Sequence, residues 1–364
     1  MDTHEINDVR TQAEFRGKSF SNYKKTQVKK ILQLSLTQGK VEDACYWAAE
    51  LICAGHFIDL WELIINFVSR NVHLGCPKLP LYISLRMNAF KDVVSNGYDG
   101  NELALRNNSK IRQIFAEIIA ILCYALKKHA FESVKIKKTD EFSMQVIATK
   151  LKAPDVSYAS LSFREGDPKE LFVAINEFSY HLSSKSKNGY NACYWLEWLL
   201  EFDTISKKNK TPLISESRTW PSIDSKYQND SIWIIWDTIR KRARERNNET
   251  IIKIIDALSE MFCLRFTYST KKRRKYLIYN AISLLTDVAD LSTPIWNDKK
   301  VIMNVVKKID VIYKQIKKNE NAPATSYLFN DVAERSNLDK TRERLEMMNS
   351  LMENPRSLIN SIIQ

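Results

Sequence analysis

The chain has 364 residues, a net charge of +12, 44% hydrophobic residues and 10% aromatic residues. This hydrophobic content can build a packed core and excludes wholesale disorder. Only 8 glycines and 9 prolines are present, and so few helix-breaking residues favour long helices over short strands and turns. We therefore predict an all-α protein.

Polarity and cysteine usage predict a soluble, intracellular protein. The first twenty residues are polar, which does not fit a secretory signal. No apolar run reaches the roughly 18–20 residues of a membrane span, so no membrane contact is expected. The six cysteines are scattered through apolar stretches, which favours buried free thiols in a reducing compartment.

A near-repeat divides the chain into two comparable halves. The stretch DACYW at 43–47 returns as NACYW at 191–195. Apolar residues follow each copy at the spacing of one wide helical face, and helical segments occur in the same order around both. The sequence therefore predicts two tandem helical modules of about five helices each, related by an internal repeat.

Composition shifts set the predicted boundaries. A polar N-terminal segment covers 1–20, module 1 covers 21–130, a connector covers 131–167, module 2 covers 168–318, and a linker with a terminal helix covers 319–364. Helical phasing turns Trp47 and Trp195 inward, whereas Glu50 and its counterpart Trp198 fall on the outward face. Trp198 is therefore a candidate contact for a protein partner.

Two weak motifs resemble a structural zinc site and a nucleotide-binding loop. Cys53, His56, His73 and Cys76 have the pairwise spacing of a structural zinc site. The 16 residues between the pairs predict one helix about 24 Å long, which would hold the pairs too far apart for one ion. Residues 17–19, GKS, resemble the end of a P-loop but lack its first glycine and its strand.

No serine, cysteine or carboxylate stands in a recognisable catalytic pattern. A cysteine–histidine pair assembled only by the fold stays open, because such pairs need not be close in sequence. Each copy of the repeated motif is better explained by helix packing than by catalysis. We predict a protein that is not an enzyme and uses no cofactor or metal.

Positive charge is concentrated in the basic segment 205–275, which has 17 Lys and Arg against 8 Asp and Glu. It contains two runs: Arg240, Lys241, Arg242, Arg244 and Arg246, then Lys271, Lys272, Arg273, Arg274 and Lys275. Cations are favoured at a helix C-terminus, where the first run lies, but five at a helix start oppose the dipole. The runs predict contact with DNA or RNA phosphates, with an acidic protein surface, or a nuclear-type signal.

A family resemblance is carried by the first copy of the repeat. The matching residues are Asp43, Ala44, Tyr46, Trp47, Ala54 and Gly55, continued by Pro77, Ala89, Phe90, Glu102, Tyr124 and Ala125. Residues 25–130 resemble the C-terminal helical domain of MgsA/WRNIP-type AAA+ proteins, which is related to the clamp-loader collar. The resemblance implies a domain that oligomerises beside an ATPase. Because this sequence has no ATPase domain, ATP turnover is not implied.

The whole chain, including DPKELFVAINEF and NACYWLEWLLEF, also resembles conserved proteins of nucleocytoplasmic large DNA viruses. This resemblance implies the host cytoplasm, a viral factory or the virion as the location. Two hypotheses follow. One is a non-enzymatic helical accessory or scaffold protein of viral DNA replication or repair, which binds nucleic acid and protein partners, among them a second copy of the chain. The other is a structural virion or capsid-assembly protein whose basic face docks on an acidic partner.

Overall fold

The computed structural model describes residues 4–136, 141–220 and 223–321, and the all-α prediction is confirmed for them. The α-helices in these ranges are α1 Lys25–Gln38, α2 Val41–Cys53, α3 Phe57–Phe67, α4 Leu79–Ser95, α5 Ser109–Tyr124, α6 Met144–Lys150, α7 Phe172–Leu182, α8 Gly189–Lys208, α9 Ile232–Glu245, α10 Glu249–Cys263, α11 Thr270–Arg273, α12 Lys275–Thr286 and α13 Lys299–Lys317. Within the same ranges, no helix combines the length and apolar character needed to cross a bilayer.

Asparagine side chains fix the start of three long helices. Asn108, Asn188 and Asn248 each accept a hydrogen bond from the backbone N–H three residues later, at 3.0–3.1 Å. Such a cap satisfies one of the N–H groups that a helix leaves unbonded, and it contributes about 1 kcal/mol. At the C-terminal end of α1, Gly39 adopts the left-handed conformation with φ of 72° and terminates the helix.

We use the names module 1 for α1–α5 and module 2 for α7–α12, after the predicted ranges, and module 1 is arranged around α2 and α5. α1 packs on α2, α2 packs on α5, and α4 packs on α5. Their shared core contains an aromatic cluster in which the ring of Phe115 lies 5.2 Å from Trp61, 5.7 Å from Phe90 and 6.2 Å from Phe57. These four rings are buried, so they contribute both apolar area and edge-to-face contacts.

Module 2 is built around α8 and α12. α7 packs on α8, α8 packs on α12, and α9 and α10 pack on each other and on α12. Trp195 is almost completely buried, as the periodicity predicted, and Trp233 and Trp236 are buried with it. The predicted connector contributes α6 and a short turn at 157–161, which packs against α7.

The two copies of the ACYW motif occupy comparable positions. The first lies on α2, which packs on α1 and α5, and the second lies on α8, which packs on α7 and α12. Cys45 and Cys193 are buried, and all six cysteines are buried free thiols, as predicted. The tryptophans differ, because Trp195 is 1% exposed whereas Trp47 is only half-buried.

The outward orientation predicted for Glu50 and Trp198 is wrong. Glu50 is fully buried, and its carboxylate accepts hydrogen bonds from the backbone N–H and hydroxyl of Ser21. Trp198 is 4% exposed, stacks on Phe202 at 5.0 Å, and donates its indole N–H to the Glu141 carbonyl. Both residues lie on the helix face that the periodicity gives them. Segments distant in sequence, around Ser21 and Glu141, cover that face and bury them.

The N-terminal segment belongs to module 1, contrary to the predicted boundary at residue 20. Ile6, Phe15 and Phe20 are buried. The guanidinium of Arg10 lies over both phenylalanine rings and forms an ion pair of 2.6 Å with Asp8. This pairing allows a segment of polar composition to enter the core, because the two buried charges neutralise each other.

Helix α13 also packs on module 1, although the predicted boundaries place it in module 2. It lies against α2 and α5, and its buried face consists of Ile302, Ile309, Tyr313 and Ile316. The guanidinium of Arg112 on α5 lies 3.9 Å from the centroid of the Tyr313 ring. Asn321, beyond α13, exchanges hydrogen bonds with Asp8 and Val9. The predicted terminal helix lies outside the described residues.

The modules meet along α4 and α10 and through one buried arginine. α10 packs along α4, where the Ser84 hydroxyl donates to Glu260 at 2.5 Å. Arg274, 1% exposed, forms an ion pair with Glu62 of α3 and donates to the Phe262 carbonyl at 2.7 Å. Arg274 therefore joins α3 of module 1 to α10 and α12 of module 2.

We predict that Glu62→Gln destabilises the protein by about 3–5 kcal/mol, because it leaves the buried Arg274 guanidinium without its counter-ion. The free energy of unfolding in urea is the measurement. The control is Glu249→Gln, which removes one partner of the exposed Glu249–Lys253 pair and is expected to cost at most about 1 kcal/mol. Equal costs for the two variants would contradict the prediction.

Candidate functional site

The second basic run, Lys271–Lys275, is divided between the interior and the surface. Lys271 is 4% exposed, and its ammonium lies 2.6 Å from Asp203 and 2.8 Å from Asp230. Burial alone would lower the pKa of Lys271, but the two carboxylates outweigh burial and raise it. Together with the buried Arg274, this residue is unavailable to a partner at the surface.

The remaining residues of that run differ in their pairing. Lys272 lies 3.0 Å from Glu201, and Lys275 lies 2.7 Å from Glu197. Arg273 is exposed and has no ion pair within the part of the chain that the structure describes. The run thus contributes one exposed, unpaired cation, rather than the five that the sequence suggested.

The first basic run is also largely paired within the chain. Arg240 lies 2.8 Å from Asp256, and Lys241 lies 3.0 Å from Asp237. Arg242 bonds to Ser179 and Glu245, and Arg246 donates to the Leu182 carbonyl. Arg244 is exposed, and no ion pair to it occurs in the described ranges. A continuous basic face formed by both runs is therefore not present in the described chain.

Arg273 instead lies in a groove between the modules, which we call the inter-module groove. It has a volume of about 480 Å³ and is lined by α1, α3, the turn at 68–72 and the start of α12. Its charged lining residues are Lys29, Lys30, Asp59, Glu62, Arg70 and Arg273. Cations from both modules therefore converge on one concave surface, although Lys30 and Arg273 are far apart in sequence.

The two acidic residues of the inter-module groove are already neutralised. Asp59 lies 2.8 Å from Lys25 and 2.9 Å from Lys29, and Glu62 is paired with Arg274. Burial raises the pKa of Asp59, but the hydrogen bonds from the two lysines outweigh this effect and lower it. Three exposed cations, Lys30, Arg70 and Arg273, have no acidic partner among the described residues.

An aromatic ring lies beside these cations. The guanidinium carbon of Arg70 lies 4.9 Å from the centroid of the Tyr276 ring. Tyr276 is half-buried in the groove wall, and its ring is 5.4 Å from that of Tyr279. The guanidinium therefore makes a cation–π contact with the Tyr276 ring, and both groups line the groove.

The turn that carries Arg70 is unusually wide. Residues Val68–Val72 form a π-helical turn at the end of α3, and His73 follows with φ of 48°. Asn71 in this turn is 7% exposed and lines the groove, and its side-chain oxygen Oδ1 is buried and has no hydrogen-bond partner among the described residues. Buried polar groups are seldom left unbonded, so this amide is a candidate for ligand contact. Sequence reasoning missed Lys30, Arg70, Asn71 and Tyr276.

The cysteines and histidines of the zinc-like pattern lie at the two ends of α3. Cys53 ends α2, and the Nε2 atom of His56 lies 2.6 Å from the Lys18 carbonyl oxygen. His73 and Cys76 follow the turn beyond α3. In the described ranges, no group of three or more histidine, cysteine and acidic side chains is arranged to hold a metal ion.

A second groove, of about 840 Å³, lies between the start of α2 and α13. Its lining mixes apolar residues such as Val305 and Ile312 with Glu42, Asp43 and Lys308. It is less basic than the inter-module groove and contains none of the predicted site residues.

Comparison of the chain with protein-family models, with curated proteins and with solved structures gives no match. The assignment of a function therefore depends on the groove geometry and on the sequence.

We predict that stability falls between pH 6.5 and pH 4 because of His73. Burial, assisted by the Lys128 cation, lowers the pKa of His73 from 6.5 to about 4. The unfolded chain binds this proton near pH 6.5 and the folded chain near pH 4. The stabilisation is therefore complete above pH 6.5, and about 3 kcal/mol is lost by pH 4.

The free energy of unfolding of His73→Asn, measured in urea from pH 7 to pH 4, checks this prediction. Asparagine tolerates the positive φ and does not titrate, so the variant is expected to show a shallower pH dependence. Replacement of the exposed His129 by asparagine is the matched control. If the two variants show the same slope, His73 is not the group responsible.

Proposed function

We propose that this protein is a non-enzymatic helical accessory protein of viral DNA replication or repair, which binds nucleic acid through the inter-module groove. The observation that carries the proposal is the convergence of three unpaired cations, Lys30, Arg70 and Arg273, on one groove. Nucleic acid presents closely spaced phosphates, so a groove with uncompensated positive charge attracts it and releases its counter-ions.

The sequence predicted a site of ten cations in two basic runs. The proposed site keeps only Arg273 from these runs and adds residues of module 1. Arg244 is a second exposed, unpaired cation from those runs, at the end of α9. Lys271 and Arg274 are assigned a structural role, because removing either from its carboxylate partners would leave buried charges unpaired. Trp198 is likewise assigned to the core of module 2.

We also propose that the two modules are related by an internal repeat and serve as a scaffold. The packing of α2 on α1 and α5 parallels that of α8 on α7 and α12, which supports this relation. The resemblance of residues 25–130 to the collar-like domain of MgsA/WRNIP-type proteins supports assembly with protein partners or with a second copy of the chain. No ATP turnover is proposed.

The alternative, a virion or capsid-assembly protein, would use the same cations to bind an acidic protein. Phosphates and carboxylates both form ion pairs with exposed arginines, so the two proposed functions differ in the partner rather than in the binding site. Quantitative proteomics of purified particles separates them, because a structural virion protein must be abundant there.

We predict that the triple variant Lys30→Gln, Arg70→Gln and Arg273→Gln weakens nucleic-acid binding about tenfold or more at roughly 50 mM salt, since each lost phosphate contact removes counter-ion release. Fluorescence anisotropy of a labelled oligonucleotide over a series of salt concentrations measures this. The slope of log K against log salt should fall in magnitude by about two to three, or about one for each contact.

The matched control replaces three other cations that do not line the groove: Lys226, Lys253 and Arg244. Lys226 and Lys253 have side chains that are 65% and 69% exposed. This control changes the net charge by the same amount and is expected to retain most of the affinity and slope. Equal losses in the two triple variants would show that binding depends on net charge alone and would contradict the proposed site.

A further inference from the structure

The inter-module groove offers three kinds of contact, and phosphate accounts for only one of them. Lys30, Arg70 and Arg273 supply positive charge, the Arg70–Tyr276 cation–π pair supplies a surface for stacking, and Asn71 in the groove wall has a buried amide oxygen with no hydrogen-bond partner among the described residues. Ionised phosphate has no N–H to donate to this oxygen. A ligand that satisfies all three must therefore carry negative charge, a planar ring and a hydrogen-bond donor.

We propose that the groove binds single-stranded nucleic acid, with one base stacked on the Arg70–Tyr276 pair and its edge facing Asn71. This inference rests on the proposed function and specifies its substrate class. Single-stranded bases stack on aromatic rings and on the planes of arginine guanidinium groups, and their edges are free to hydrogen-bond. The phosphates on either side of that base would meet Lys30 and Arg273.

The dimensions favour a single strand over a duplex. A volume of about 480 Å³ lies within the range of small-molecule sites, roughly 300–1,000 Å³, and so suits a nucleotide unit. In a duplex, the bases are stacked on each other, and their flat faces cannot reach a protein ring without being unstacked. Duplex binding would use the cations and leave both Tyr276 and Asn71 without a role.

The π-helical turn explains how the amide can meet a base. Asn71 follows Arg70 directly, so the stacking group and the amide are carried by one turn. The turn is fixed by the segment that follows α5, since the Ala130 N–H donates to the Arg70 carbonyl at 2.8 Å and the Lys128 N–H donates to the Val72 carbonyl at 3.2 Å. The Asn71 amide torsion is broad and two-fold, so the group can present either its oxygen or its NH₂ to a base edge.

The test compares labelled ligands of about 12 nucleotides, within the range of sites known for single-strand binding proteins. The ligands are single-stranded DNA, single-stranded RNA, duplex DNA, and two polyanions without bases, heparin and polyglutamate. We expect either or both of the single strands to bind at least about tenfold more tightly than the duplex, and the DNA and RNA arms identify which nucleic acid is preferred.

Variants then separate stacking from charge. Tyr276→Leu is expected to weaken single-strand binding by about 5- to 150-fold, the effect of losing one base–aromatic stack. Asn71→Ala is expected to weaken it as well, and in both variants the loss of heparin affinity should be clearly smaller than the loss of single-strand affinity, because heparin has no bases to stack. Tyr276→Phe keeps the ring and is expected to restore single-strand affinity. Urea unfolding of each variant verifies that the fold is retained.

The possible outcomes distinguish this inference from the proposed function. If duplex DNA binds as tightly as the single strands, and the triple variant weakens both, the proposed function stands and the single-strand inference is wrong. If Tyr276→Leu lowers heparin and single-strand affinity equally, stacking is also excluded. Tight binding of polyglutamate alone would favour an acidic protein partner, and no binding to any ligand would overturn both proposals.

Discussion

The buried ion pair between Arg274 and Glu62 joins the two modules beside the candidate groove, and the packing of α10 on α4 joins them elsewhere. Arg274 lies at the junction of α11 and α12, and Glu62 lies on α3, so the pair fixes where the start of α12 meets module 1. Because Arg274 points into the interior, its neighbours Arg273 and Tyr276 face the groove. The candidate site is therefore a consequence of how the modules are joined, and weakening the pair would disturb both.

Charge has two distinct roles in this chain, although the sequence presents it as two uniform runs. Lys271 and Arg274 serve as buried counter-ions, because a buried cation is tolerated only where carboxylates and carbonyls replace water. Lys30, Arg70 and Arg273 are exposed and have no acidic partner in the ranges that the structure describes. A net charge of +12 therefore overstates the positive surface available to a partner. The positions of the exposed cations indicate a binding site better than the net charge does.

Periodicity and composition were sufficient to predict the all-α class, the burial of Trp195 and the buried thiols, because these depend on local spacing and on apolar area. The site could not be predicted in the same way. Arg274 and Glu62 are 212 residues apart, and nothing local indicates that they meet. The burial of Glu50 and Trp198 could not be predicted for the same reason. Helical phasing shows which residues share a helix face, but it does not show whether a segment distant in sequence covers that face.

Helix α13 packs on α2 and α5, so helices α7–α12 lie in sequence between α1–α5 and the helix that completes the core of α2 and α5. During synthesis, residues 4–130 emerge from the ribosome first but lack the helix that completes their core. Module 2 can assemble in the interval, since α7, α8, α9, α10 and α12 contact one another. Contacts of such long sequence separation form late and slowly. During synthesis, α1–α5 would therefore expose the apolar surface around Ile52 and Ile119 until α13 has been made and packs on it.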